Sequence, residues 1–324
     1  MAGRSAAVPV TPAPRWLIGA CLASVYIVWG TTYYALKVGV QGAPPYFLVG
    51  TRFVVAGALV MAWLKLRGQP LPTLRQWRSA SILGFLMLAI GLSNVTVAEK
   101  TVSSGAAVAL ISFMPLVMAV WSGLLEKWPK RSAWFAIGLG TIGTLVMITG
   151  ADLRASPGGT ALILSGSVAW SLGTVLSRRM DVPSGAMGFG AEMLAGGAIA
   201  LVMSVAFGEH WALPQSAPVW WAWVYLVVFG SLIAFSAYRI LVERVSPTLA
   251  STYAYVNPPV ALLVGWLLGN ETFSLNVLLG LPIVLVAVGW HAWSELRSPA
   301  PPPPVPQSAG TNVQAQNASP STAT

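Results

Sequence analysis

Apolar residues fill this chain in unbroken blocks of membrane-spanning length, separated by short polar or Pro/Gly breaks. A helix rising 1.5 Å per residue needs roughly 20 residues to cross ~30 Å of hydrocarbon. Ten blocks meet that length and predict ten transmembrane helices: Trp16–Leu36, Pro45–Leu64, Ser79–Ala98, Gly105–Leu125, Ser132–Gly150, Thr160–Ser177, Ser184–Ala206, Val219–Val242, Ser246–Leu268 and Ser274–Ala292. They are apolar on every face, which argues against the alternating pattern of a membrane β-barrel. The predicted fold class is an all-α integral membrane protein. Composition agrees: 56% of residues are hydrophobic and 8% charged, against about 25% charged in an ordinary soluble domain. Lipid must be the solvent for most of this surface.

The net charge of +9 would raise the question of nucleic acid in a soluble protein. Here its distribution answers otherwise. With the N-terminus inside, fourteen Lys and Arg residues fall on the cytoplasmic side, among them Arg67, Lys127, Arg178, Arg239 and Arg244. Three, Lys37, Lys100 and Arg154, fall outside, and Arg52 lies within a span. Positive segments translocate poorly, so both termini are expected in the cytoplasm of a bacterial inner membrane. No basic face is left for nucleic acid. Residues 1–15 read as a disordered cytoplasmic arm. Residues 298–324, Pro-rich and then polar, read as a disordered cytoplasmic tail. Cys21 is the only cysteine, so no intrachain disulfide can form.

The two halves of the chain resemble each other. Trp29 aligns with Trp170 and Lys37 with Arg178, both 141 apart; Arg52, Gly57 and Leu59 align with Glu192, Gly197 and Ile199 at 140. Glu99 and Glu243 are 144 apart, Pro115 and Pro258 143, and Gly138 aligns with Gly280. The repeats are residues 16–150 and 158–294, with five spans each. An odd number of spans inserts the second repeat upside down, as in many secondary carriers, where two inverted units enclose one central site and open it to either side in turn.

Two paired stretches carry a family resemblance. Ala250-Ser-Thr-Tyr-Ala-Tyr-Val-Asn-Pro258 running to Glu271, and Ala106-Ala-Val-Ala-Leu-Ile-Ser-Phe-Met-Pro115 running to Glu126, resemble the repeated signature of the drug/metabolite transporter superfamily, EamA type. The opening Tyr26-Ile-Val-Trp-Gly-Thr-Thr-Tyr33 fits it too. The resemblance implies a ten-helix basket whose spans one to four and six to nine surround a cavity. It also implies export of amino acids, metabolites or drugs, in many members by exchange with protons. One departure is that Glu126 lacks the preceding glycine that Gly269 supplies before Glu271.

Several residues are candidates for that work. Glu192 is the one carboxylate well inside a span. A charge at such depth costs about 2.5–3.5 kcal/mol on insertion scales, so it usually faces protein or water and carries function. Its alternative is a structural ion pair with Arg178 or Arg239. Arg52 could attract an anionic group, or snorkel to the outer headgroups. Arg239 joins these two as a coupling or charge-recognition candidate. Pro115 and Pro258 would kink their spans and free carbonyls. Trp29, Asn94, Trp170, Tyr238, Tyr253 and Asn257 are candidate substrate-binding residues, offering flat apolar faces and single polar atoms.

Other signals carry less. Gly138-Leu-Gly-Thr-Ile-Gly143 matches a dinucleotide fingerprint, but no strand precedes it; as small residues in a span it suits helix packing, including against another copy in a homodimer. Trp128, Trp211, Trp220 and Trp221 sit at span ends as headgroup anchors. Two histidines, His210 and His291, offer no metal-ligand spacing, and no cofactor motif is present. The expected function is secondary-active export of a small molecule, with membrane lipid and counter-transported protons as the other partners. A passive facilitator of the same fold, or a membrane enzyme acting on lipid intermediates, is the alternative.

Overall fold

The computed structural model describes residues 14–102, 107, 110–149, 156–183, 185–211, 216–269 and 275–296. The expected arm before residue 14, the tail 298–324 and Glu271 lie outside them. The described elements are helices: α1 (Arg15–Gly39), α2 (Pro45–Leu66), α3 (Leu74–Ala98), α4 (Met114–Leu125), α5 (Arg131–Ile148), α6 (Pro157–Ser177), α7 (Ala186–Ala206), α8 (Ala217–Arg244), α9 (Tyr253–Gly269) and α10 (Leu275–Leu296). Six of them, α1, α2, α3, α6, α7 and α8, are long and apolar enough to cross a membrane. Met114–Leu125 of α4 and Leu278–His291 of α10 are shorter apolar stretches, and a single turn, Pro247–Ala250, precedes α9.

The molecule is built inside out relative to a soluble protein. Ile27, Leu59, Phe135, Val202 and Val286 are more than half exposed in mid-helix, whereas Arg52, Glu192 and Arg239 are buried. Such a surface is stable only against hydrocarbon, with the charges taken into the helix bundle.

Helices of one half pack on their own counterparts in the other. α2 lies antiparallel to α7, and glycines let the backbones touch. A Cβ on Gly57 would sit 2.6 Å from the Leu194 nitrogen and 2.8 Å from the Gly190 oxygen. A Cβ on Gly197 would sit 2.7 Å from the Val54 nitrogen and 2.9 Å from the Gly50 oxygen. Adding 140 to each partner of one glycine gives the partners of the other, so a two-fold axis runs through the crossing. α5 and α10 also pair antiparallel, from Ser132 against Ser294 (2.9 Å) to the Thr149 carbonyl accepting from Asn276. Gly143 and Gly280 meet between them. Two copies related by an axis in the membrane plane must pair this way; copies inserted in the same sense would pair parallel.

Two glycines of the α5 motif pack within the chain. Gly140 faces the Tyr255 ring and Gly143 faces α10, while Gly138 has nothing within 4 Å.

The N-terminus of α2 is held by the chain following α7. The Glu209 carboxylate accepts from the Tyr46 and Phe47 backbone nitrogens (3.1 and 2.9 Å) and from the Ser204 hydroxyl (2.6 Å). A carboxylate there satisfies two orphan donors and opposes the helix dipole.

Two features differ from expectation. Pro115 does not interrupt a span. The chain turns at Ser112–Phe113, and Pro115 sits in the first turn of α4, where its missing N–H is not needed. Pro258 does lie inside α9, followed by Pro259. In addition, Phe85–Leu92 of α3 and Leu226–Ile233 of α8 are wound as π-helix, both ends offset by 141. This wider winding loosens the hydrogen-bond ladder and frequently marks functional positions.

The crossing of α2 and α7 sets a test. Gly57→Ala and Gly197→Ala should each cost about 1–3 kcal/mol by overpacking, read as a lower melting temperature of the detergent-solubilised protein. Gly138→Ala should leave melting unchanged. An equal effect at all three would remove the crossing from the account.

Candidate functional site

Residues on the facing sides of α1, α3, α6, α8 and α9 converge where the two halves meet. Trp29 of α1 and Trp170 of α6, equivalent in the repeat, touch edge-to-face with ring centroids 5.6 Å apart. Tyr238 and Tyr253 close on Trp29 at 4.9 and 4.8 Å, and Phe235 packs against Trp170 at 6.1 Å. Each polar tip has a partner. The Trp29 indole donates to the Gly230 carbonyl (3.2 Å), within the π-wound stretch of α8. The Trp170 indole donates to the Tyr238 oxygen (3.3 Å), which also shares a hydrogen bond with Thr174 (2.8 Å). Tyr253 donates to the Met114 sulfur (2.9 Å). Aromatic bodies with satisfied tips make a rigid apolar floor.

A cavity rises from that floor, with about 640 Å³ of non-atom space including its mouth. Its walls carry Thr32, Tyr33 and Leu36 of α1, Gly91, Leu92 and Val95 of α3, and Arg52 with Phe53 of α2. All of these lie toward the C-terminal ends of α1 and α3 and the N-terminal end of α2. The cavity thus extends toward one end of the molecule, the end of Lys37 and Glu99. Asn257 lines it as well; the carbonyls of Tyr26 and Tyr253, at 3.2 and 3.1 Å, dictate that its amide nitrogen faces them. Glu99, just beyond α3, has its carboxyl pushed up to about 8 by burial, with the Lys37 ammonium pulling it back down.

The opposite end is closed by charge. Arg239 donates from Nη1 to Glu192 Oε1 (2.9 Å) and from Nε to Glu243 Oε1 (3.0 Å). Arg178 donates to Glu126 (3.0 Å) and to the carbonyls of Val242 and Val245 (2.7 and 2.6 Å). These contacts tie the C-terminal ends of α4, α6 and α8 together and to α7.

The expected site residues separate into groups. Trp29, Trp170, Tyr253, Asn257 and Arg52 line the cavity. Tyr238 is buried beneath the floor. Asn94 stands off to one side, accepting from the Tyr46 hydroxyl (3.0 Å) and donating to Ser165 (3.1 Å). Glu192 pairs with Arg239, the second of the two cations that sequence offered it, while Arg178 goes to Glu126. Arg52 does not snorkel: it is 3% exposed. Its guanidinium is instead held against α8, where Nε donates to Ser231 (2.9 Å) and Nη2 lies beside Gly230. Sequence reasoning passed over Tyr33, Phe53 and Phe235. Tyr33 was within reach, since Trp29, Thr32, Tyr33 and Leu36 recur on one face of a 3.6-residue period.

This geometry, with equivalent helices paired antiparallel around one cavity, has a counterpart among known proteins. A model of the EamA-like transporter family matches twice, once per half, over residues 15–149 and 157–291. The chain belongs to the EamA-like transporter family. A relative of this EamA chain in Escherichia coli (strain K12), named "Uncharacterized inner membrane transporter YedA", is 40% identical over 287 residues, covering 88% of this chain and 94% of the relative. In Bacillus subtilis (strain 168) the "Uncharacterized transporter YdfC" is 27% identical over 273 residues, covering 83% and 88%. The "WAT1-related protein At3g02690, chloroplastic" of Arabidopsis thaliana is 27% identical and covers 82% and 67%. One solved crystal structure superposes on 86% of this chain and 99% of its own with a TM-score of 0.72 at 22% identity, a likeness of fold. The EamA chain is a multi-pass inner membrane protein of a transporter family.

The charged closure gives a measurable prediction. Removing one partner of a buried pair leaves the other charge uncompensated, at about 3–5 kcal/mol. Arg239→Gln should therefore lower the melting temperature markedly. The double variant Glu192→Gln/Arg239→Gln should recover part of that loss, with coupling read from the double-mutant cycle. Additive losses would mean that the two side chains act independently.

Proposed function

We propose that this EamA-family transporter is a secondary-active exporter that moves a small organic solute out of the cytoplasm by alternating access, driven by proton exchange. One observation carries the reading: a cavity where the two halves meet, lined toward one end by aromatic and apolar side chains with Arg52 and tied at the other end by ion pairs. Two inverted halves have a second arrangement of nearly equal energy available, in which the halves exchange roles and the cavity opens the other way.

The distribution of Lys and Arg along the chain supports placing the tied end, with Arg178, Arg239 and Lys127, in the cytoplasm. The described arrangement is then the one that releases solute outward. Returning to the cytoplasm-facing arrangement requires breaking the Arg239 pairs. A proton taken up by Glu192 would remove the charge that holds Arg239 and so loosen the tie. Coupling of this kind needs little from the membrane: moving one charge through 100 mV supplies ~2.3 kcal/mol, enough for a gradient of about fifty-fold.

The test is flux from proteoliposomes under an imposed pH gradient. Solute movement by the wild type should follow the gradient. Glu192→Gln, once shown by its melting to be inserted and folded, should lose that response and retain only downhill flux. Wild-type flux indifferent to the pH gradient would make the protein a passive facilitator. Unaltered proton-driven flux in Glu192→Gln would remove this carboxylate from the mechanism.

A further inference from the structure

The cavity holds a cation that no carboxylate among the described residues pairs with. Arg52 is 3% exposed, yet its one hydrogen bond among the described residues is Nε to the Ser231 hydroxyl oxygen at 2.9 Å. Nη1 is buried with no hydrogen-bond partner among the described residues. A buried charge left in this condition is costly, and native proteins pair such groups or use them.

The repeat shows what is missing. Arg52 corresponds to Glu192, 140 residues on. In that second half the carboxylate finds its counter-ion on α8, in Arg239 at 2.9 Å. At the offset of 144 that relates Glu99 to Glu243, Arg239 maps to Val95 of α3, and at the 141 of the π stretches to Ala98; neither carries a charge. Both Arg52 and Val95 line the cavity. One half thus completes its ion pair internally. The other presents the lone charge to the open space, beside an apolar residue where the partner would stand.

Its surroundings hold the guanidinium in readiness. Ser231 spends its proton on the Leu226 carbonyl five residues back, at 3.1 Å, a bond the π winding of α8 permits. Its oxygen is therefore left to accept from Arg52 Nε, which leaves the Nη edge for something else. Gly230 makes the space: a Cβ there would be 3.1 Å from Nη2. The guanidinium carbon sits 4.5 Å from the centre of the Phe53 ring, which restricts its swing.

We infer that Arg52 is a specificity residue and that the transported solute carries a carboxylate, received by the Arg52 guanidinium, on an apolar or aromatic body that lies against Trp29, Phe53, Phe235 and Tyr253. A guanidinium edge and a carboxylate match two donors to two acceptors in one plane. The walls supply aromatic faces for the remainder of the molecule. Among the described residues no second cation joins Arg52 in the lining, so a single negative group is matched, rather than a multiply charged phosphate ester. The inference deepens the exporter reading, since it assumes that this cavity is the transport site.

Binding to the full-length, detergent-solubilised protein tests it without any gradient. Phenylacetate, 3-phenylpropionate and 4-phenylbutyrate are compared by isothermal titration with their amides, which keep shape and lose charge. The wild type should bind at least one acid about tenfold or more tightly than its amide, the scale of a charge-assisted hydrogen bond. Arg52→Gln should abolish that preference while leaving amide binding in place, and Arg52→Lys should keep part of it. Acid and amide that behave alike in the wild type, whether both bind or neither does, overturn the inference. So does an acid preference that survives Arg52→Gln in a variant whose melting shows it folded. The outcome separates from the exporter test: preferential binding with no proton-driven flux would sink the coupling and leave the site, and proton-driven flux with no acid preference would do the reverse.

Discussion

Backbone contact between α2 and α7 is the constraint on which the remaining geometry depends. In hydrocarbon, apolar side chains gain little by leaving lipid for protein, so helices associate where small residues let their backbones approach and pack densely. Gly50, Gly57, Gly190 and Gly197 provide that approach in symmetric register. The crossing then determines where two charges go. Arg52 and Glu192 occupy equivalent positions on crossed antiparallel helices, so each is directed toward a different end of the molecule. Glu192 falls among the ends of α8, and Arg52 falls on the wall of the cavity.

From that point the two halves share a frame and differ in chemistry. Trp29 and Trp170 meet near the axis, and both α3 and α8 change to π winding at matching positions. In α8 the altered winding aims the Gly230 carbonyl at Trp29 and the Ser231 hydroxyl at Arg52. Like frames allow the halves to exchange conformations. Unlike side chains, with ion pairs at one end and an open aromatic cavity at the other, give those conformations different contents.

Much of the fold was legible in the sequence, because lipid imposes a length and a polarity that leave a direct trace. The helix ends of α2, α6 and α7 fall within a few residues of the apolar blocks, and the family match covers the two halves that the offsets implied. The glycines at matching offsets marked the repeat but not the crossing that they make. Local departures were not legible. The turn at Ser112–Phe113 lies in an apolar run without turn residues, so Pro115 looked interior. The π stretches have no compositional mark.

The site was harder to read for a related reason. With more than half of the chain hydrophobic, an aromatic residue such as Phe235 does not stand out, and facing the cavity is decided by helix rotation rather than by residue type. Arg52 shows the limit well. Its depth along α2 allowed snorkelling, and only its burial against α8 rules that out.

The central claim is that the two ends of the molecule open in alternation around one cavity. Spin labels report it directly when placed at exposed positions outside the charged contacts: Gln41 with Lys100 at the open end, Lys127 with Arg179 at the tied end, in a chain lacking Cys21. Pulsed dipolar distances in proteoliposomes, taken at high and low pH, should move in opposite senses, one pair widening as the other narrows. Both pairs widening together, or one changing while the other stays fixed, would contradict the account.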